Sequence, residues 1–239
     1  MYLNDQYNKA LSWQMFNRIS PRYDILNRLL SFGIDRIWRQ SLVDLIPEKK
    51  GSFYLDLATG TGDVLLEAAK RKSFSFDQMV GMDLADHMMM VGEQKLTKHD
   101  FFCPVRFVRG DATQIDLPSN SVDVVTMAFG IRNVSDPKLA LNSIHDVLRS
   151  KGMVLIMEFS IPSFWLLKMG YLFYFRYLLP FFGRLISGDK EAYSYLNKTV
   201  EDFPYGDSFC ELMRDSGFKS VKQYSLSGGI AMIYQGVKS

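Results

Sequence analysis

The stretch Leu55–Asp63, "LDLATGTGD", decides the fold. It completes a short apolar run, "SFYLDLA" (52–58), which reads as a strand ending in a glycine loop. A helical pattern follows at once, "VLLEAAKRK" (64–72). The strand delivers Asp56 to its C-terminal end, and Gly60 and Gly62 let the backbone approach a ligand closely. A dinucleotide-binding loop would carry a third glycine where this chain has Leu65. With that glycine missing and no basic residue in the loop, the pyrophosphate reading weakens. A tight turn without a ligand stays open on this motif alone.

The same alternation continues outward. "DQMVGMDLA" (77–85) reads as a second strand ending in Asp83, and "DHMMMVGEQKLTKH" (86–99) as a helix. "CPVRFVRGDA" (103–112) is a third strand and "SVDVVTMAFG" (121–130) a fourth. "PKLALNSIHDVLRS" (137–150) is a helix, and "GMVLIMEFS" (152–160) a fifth strand. Strands alternating with helices in this way mean βαβ units and an α/β, mostly parallel sheet.

Residues 5–46 read as helices that precede this core. Ile25, Leu26, Leu29 and Leu30 fall on one helical face, Gly33 is a break, and Asp35 is a candidate cap for the next helix. Beyond strand five come a polar helix around 190–200 and the helix "DSFCELMRDSG" (207–217). Two strands, "FKSVKQYSL" (218–226) and "IAMIYQGVK" (230–238), are parted by Gly228 and Gly229 and predict a closing antiparallel pair.

Composition narrows the function classes. The chain has 239 residues, 47% hydrophobic, with a net charge of +2 and no concentrated basic patch, so a nucleic-acid partner is not expected. Its two cysteines lie far apart and its three histidines show no ligand spacing, so neither structural zinc nor a disulfide framework is expected, and the expected setting is cytoplasmic. The polar start "MYLNDQYNKALSWQMF" does not read as a signal peptide.

Three carboxylate or glycine features then point to one ligand. Asp83 lies 23 residues past Gly60, where an acidic side chain accepts hydrogen bonds from both ribose hydroxyls. Asp111 and Ala112, in "GDA", close strand three, and a carboxylate there can accept from the exocyclic amine of adenine. An adenosine without phosphates, beside a glycine loop, points to S-adenosylmethionine. After strand four, "FGIRNVSDP" (129–137) offers Arg132 and Asn133 to hold a substrate's oxygen atoms. The plainer alternative is a solvated loop cation and a turn-forming asparagine.

At this point the chain resembles the ubiquinone/menaquinone biosynthesis C-methyltransferases, within the class I SAM-dependent methyltransferases. The resemblance runs over nearly the whole sequence and is carried by "YDILNRLLSFGIDRIWR", "LDLATGTGD", "GDATQIDLPSNSVDVVTMAFGIRNVSD", "EFSIP", "AYSYLNKTVEDFP" and "LSGGI". It implies a Rossmann-like sheet with an N-terminal helical cap (1–50), a core over 51–239, and an aromatic helical insertion (161–204) after strand five. It implies that Thr61, Asp83, Asp111 and Ala112, beside Gly60 and Gly62, contact the cofactor. Ala128 stands where the family often has serine, which leaves only a backbone contact there.

The implied reaction is methylation of a ring carbon on a demethylated isoprenoid quinol, with menaquinone and ubiquinone precursors both open. Arg132 would then stabilise the developing phenolate, with Asn133 as hydrogen-bond donor. Tyr193, Tyr195 or a water could act as base, and Tyr23 could line a lid or pack in the core. A methyltransferase for another substrate class, and a non-catalytic quinone-binding module, are the competing readings. Oligomeric state is not legible, and a homodimer is compatible with the sequence.

One stretch stands apart: "FWLLKMGYLFYFRYLLPFFGRLISG" (164–188). Lys168, Arg176 and Arg184 cut it into short apolar pieces and Pro180 breaks it, so it does not read as a membrane span. Its tyrosines, Trp165 and basic residues suit a membrane surface or the mouth of a site for an isoprenoid tail.

Overall fold

The computed structural model describes residues 12–179 and 199–239. Seven strands form one sheet: β1 (Ser52–Leu57), β2 (Phe76–Asp83), β3 (Val105–Arg109), β4 (Val122–Ala128), β5 (Leu148–Phe159), β6 (Lys219–Leu226) and β7 (Ala231–Val237). Their order is β3-β2-β1-β4-β5-β7-β6. β1 to β5 run parallel, and β7 joins β5 antiparallel with β6 paired to it. Chain order reverses direction between β1 and β4, and ligands in open α/β sheets sit outside the strand ends at such a point.

Every residue of β1 is buried, as a central strand covered on both faces must be. Its alternate side chains feed two separate cores. Leu55 and Leu57 pack with Val125, Leu141, Ile144 and Ile156. Tyr54 packs on the other face with Leu42, Leu65, Met79 and Leu155. The helices that cover these faces are α3 (Asp63–Lys72), α4 (Asp86–Leu96), α5 (Pro137–Val147) and α7 (Asp207–Asp215). α5 starts on an Asp136 side chain that accepts from the Leu139 amide, with Pro137 at the first turn, the capping chemistry its sequence carries.

Two strands differ most from their expected bounds. β3 stops at Arg109 because Gly110 turns the chain away, leaving Asp111 in an isolated bridge to Gln114. β5 begins earlier than expected, because α5 runs straight into a segment that pairs Leu148 with Val122 before a bulge.

The N-terminal segment forms α1 (Ser12–Leu30) and α2 (Ile34–Asp44), parted by Gly33 at φ 77°. Here one expectation holds only in part, since the apolar residues share a helical face that is not all buried, and another fails. Leu26 is buried, but Ile25 and Leu29 are 60% and 53% exposed, because α1 lies across the strand ends as a cover and turns only a narrow stripe inward. Asp35 does not cap α2. It is buried and paired with Arg39 at 2.7 Å and Arg28 at 3.4 Å.

After β5 come α6 (Trp165–Phe173) and a π-helical turn, Tyr174–Leu178. No helix among the described residues is long and apolar enough to cross a membrane. Pro180, Arg184, Tyr193 and Tyr195, and most of the expected polar helix around 190–200, lie outside the described residues.

Candidate functional site

The glycine loop is held from below. Asp56, 1% exposed, accepts from the hydroxyls of Thr59 and Thr126, both at 2.6 Å. Asp56 therefore shapes the loop and does not line the cleft. Burial pushes its carboxyl up to about 7 against the hydrogen bonds from Thr126 and Thr59. The native chain thus retains a proton that the unfolded chain, titrating near pH 4, has released. Stability supplied by this group falls as pH rises from about 4 to about 7. In thermal melts, the midpoint of Asp56→Asn relative to wild type should climb across that window and level off above it. A difference that stays flat with pH would contradict the shift.

Above the loop lies an open cleft of about 910 Å³. Gly60, Asp83, Asp111, Ala112 and Ala128 all line it, with Met88, Leu84 and Phe129. The Asp83 carboxylate at the end of β2 is fixed by two backbone amides, Gly60 N at 2.7 Å and Ala85 N at 2.8 Å. Burial nevertheless raises its pKa, the amides opposing the shift. Asp111 takes the Thr113 amide at 2.8 Å. A Cβ at Gly60 would lie 3.4 Å from the Met88 methyl, at the edge of the space a ligand would use.

Two of the expected contacts fall elsewhere. The Thr61 hydroxyl donates to Asp24 of α1 at 2.6 Å, and neither Thr61 nor Gly62 lines the cleft. Gly62, at φ 73°, faces the Phe107 ring, which a Cβ would overlap at 2.5 Å. These residues fasten the cover. Asp24 also pairs with Lys95 at 2.5 Å, Lys95 with Asp63 at 2.7 Å, and Asp63 with Arg39 at 3.2 Å. A chain of alternating charge thus ties α1 and α2 to the start of α3.

The loop after β4 is under local strain. Phe129 adopts φ 55°, which is costly for a residue with a Cβ. Its carbonyl is caught by Arg132 Nη1 at 2.7 Å and Asn133 Nδ2 at 3.3 Å. Arg132 is 4% exposed, so the solvated-cation alternative is excluded. Nη1 also reaches the Glu158 carboxylate at 2.5 Å. Burial raises the Glu158 pKa, opposed mainly by the Arg132 charge. Glu158 was missed in the sequence, although an acidic residue inside the apolar run "MVLIMEF" was a signal for a buried partner.

A second chamber, partly open to solvent, lies under α1 and α6. Its wall is mostly apolar (Met15, Ile19, Leu26, Phe159, Phe175, Leu179), with Arg132 and Tyr171 at the wall as well. It shares Phe16, Tyr23 and Phe129 with the first cleft. A polar cleft therefore meets a greasy chamber at three aromatic rings. Tyr23 belongs to that junction, and burial raises its pKa against a hydrogen bond from Asn27 and the Arg132 charge.

A model of the ubiE/COQ5 methyltransferase family matches residues 2–238. The chain belongs to that family. Within the family, it is 43% identical over 225 residues to "Ubiquinone/menaquinone biosynthesis C-methyltransferase UbiE" of Geotalea uraniireducens, covering 94% of this chain and 95% of that one. It is 41% identical over 222 residues to "Demethylmenaquinone methyltransferase" of Thermus thermophilus, covering 93% and 99%. Among solved structures, a SAM-dependent methyltransferase from Thermotoga maritima superposes with a TM-score of 0.68 at 19% identity, over 95% of this chain and 99% of that one. The [4+2]-cyclase SpnF superposes with a TM-score of 0.67 at 14% identity, over 94% of each. That a cyclase shares the fold shows that the sheet alone does not choose the reaction. The ubiE/COQ5 chain is thus a class I methyltransferase fold with S-adenosylmethionine as cofactor.

Proposed function

We propose that this ubiE/COQ5 chain methylates a ring carbon of a demethylated isoprenoid quinol, with demethylmenaquinol as the substrate. The observation that carries the reading is the junction of the two spaces at Phe16, Tyr23 and Phe129, with the buried Arg132 beside it. Gly60, Asp83, Asp111, Ala112 and Ala128 would hold the cofactor, Asp83 by its ribose and Asp111 by its adenine. Thr61 and Gly62 would act at one remove, by keeping the loop and the cover in register. Bound S-adenosylmethionine supplies an electrophilic methyl group.

The chain's own residues prepare the acceptor. A quinol hydroxyl titrates near the tyrosine value, about 10, and is mostly neutral at pH 7. Arg132 lowers the cost of ionising it, as an oxyanion site does. Ionisation releases the hydroxyl proton to solvent and moves electron density to the adjacent ring carbon, which becomes the nucleophile and, once it carries the methyl, gives up its own proton to solvent as the ring regains aromaticity. Asn133 is not the free donor expected, because its Nδ2 is held by the Phe129 carbonyl; its Oδ1, buried without a partner among the described residues, lines the first cleft and can accept a hydrogen bond from a quinol hydroxyl. The described part of residues 1–50 lines both spaces through α1. The described part of the 161–204 insertion walls the chamber that would take the isoprenoid tail.

Incubation with S-adenosylmethionine and each demethylated quinol, followed by mass measurement, tests the reading. A gain of one methyl on the naphthoquinol is expected. No methyl on either quinol would sink it. Ubiquinone-precursor methylation is the second reading, favoured by the Geotalea relative, whose printed name covers both pathways.

Peripheral contact with a membrane belongs to the same proposal. Trp165, Met169, Phe173 and Tyr177 recur every fourth residue along α6 and its π turn, and are 64%, 60%, 57% and 65% exposed. Lys168 is exposed among them. An apolar stripe with basic company suits the surface of an anionic bilayer. Anionic vesicles should pull down the protein, less so at high salt, and Phe173→Ser should weaken the binding. Failure to bind at any salt would restrict the stripe to other contacts.

A further inference from the structure

We propose that the Tyr171 hydroxyl and Arg132 Nε form a two-donor seat for one ring oxygen of the quinol, and that this seat decides which of the two oxygens ionises, the one beside the unsubstituted ring carbon. The inference rests on the quinol reading above and names the contact that would activate its open carbon.

Tyr171 and Arg132 are 8% and 4% exposed, and both line the apolar chamber. The Tyr171 oxygen and Arg132 Nε have no hydrogen-bond partner among the described residues. Buried donors left unpaired are costly, and native interiors rarely keep them without a use. Neither has an obvious structural partner to lose. Arg132 already spends Nη1 on Glu158 and the Phe129 carbonyl, which fixes the guanidinium plane. The Tyr171 ring is fixed by stacking on Phe175, centroids 5.2 Å apart at 26°. Two rigid donors with different chemistry thus share one greasy wall.

An oxygen is the complementary ligand, and an ionised one suits it best, since hydrogen bonds to charged groups are the stronger kind. Burial raises the Tyr171 pKa, so its hydroxyl keeps the proton it must donate. Another unpaired atom, Asn133 Oδ1, lies on the cleft side and accepts. A 1,4-quinol presents oxygens at opposite ends of its ring. One takes the donor seat as the phenolate, its proton released to solvent, and the other donates a hydrogen bond from its hydroxyl to Asn133 Oδ1. The carbon beside the seated oxygen is then the activated one.

Tyr171→Phe keeps the stacked ring and removes only the oxygen. With a short-chain demethylated naphthoquinol, turnover at pH 7 should fall about tenfold. The pH at half-maximal kcat should rise by about one unit, with wild-type rates regained at high pH, because a weaker seat raises the bound quinol's pKa. Melting temperature should hold or rise, and affinity for S-adenosylmethionine should not change. A variant with wild-type kinetics at every pH overturns the seat, as does an equal loss at all pH values with a lower melting temperature. Wild-type protein that methylates no quinol overturns the functional reading along with it, so the two failures are distinguishable.

Discussion

Arg132→Ala should lower quinol turnover by about 100- to 1,000-fold, the usual loss when a preorganised donor is taken from a developing oxyanion. It should also destabilise the fold, because Glu158 is 0% exposed and would be left without its partner. Breaking one side of a buried pair costs about 3–5 kcal/mol. Activity and folding must therefore be separated. The double variant Arg132→Met with Glu158→Gln removes both charges, and such exchanges are often near neutral in stability. It should melt close to wild type and still fail to turn over. A folded double variant with wild-type kcat would show that Arg132 only braces the loop through the Phe129 carbonyl.

The second large effect concerns the cofactor. Asp83→Asn replaces one acceptor oxygen by an amide donor and removes the charge. The Gly60 amide and a ribose hydroxyl would both lose a charge-assisted bond, each worth about 1.5–3 kcal/mol. Affinity for S-adenosylmethionine measured by calorimetry should drop on the order of 100-fold or more. The empty protein should also melt lower, because the new Nδ2 would face one of the two backbone amides that Asp83 now accepts from, so affinity is measured well below the melting point. Unchanged affinity would remove Asp83 from the ribose site.

Much of the framework was legible before any coordinates. Apolar runs of strand length, each closing on a glycine or a carboxylate, located β1 to β4 within a few residues, and Gly228 with Gly229 located the closing hairpin. Asp83 and Asp111 were readable because the ends of parallel strands converge on one edge whatever the helices do between them. The cover was harder. Leu26 and Ile25 are neighbours in one apolar pattern, yet one is buried and the other exposed, since periodicity gives a face and not what lies against it. Asp35 resembles a cap in sequence, and only the arrival of Arg28 and Arg39 from neighbouring turns makes it an ion-pair centre.

The sequence by itself determined the α/β sheet, the order of its motifs and the class of cofactor, because short-range pattern and strand-end chemistry are local properties. The missing third glycine at Leu65 shows where that reading ends. In three dimensions Leu65 packs over Gly81 of β2, where a Cβ would meet its Cδ2 at 2.9 Å, so the small residue needed for close helix–strand packing sits on the strand. The fastening of Thr61 to Asp24 and the capture of Arg132 by Glu158 likewise join residues far apart in the chain, and the Tyr171 oxygen is left without a partner among the described residues. Tertiary structure alone decided them, since burial and partner geometry exist only after the sheet, the cover and α6 have closed on one another.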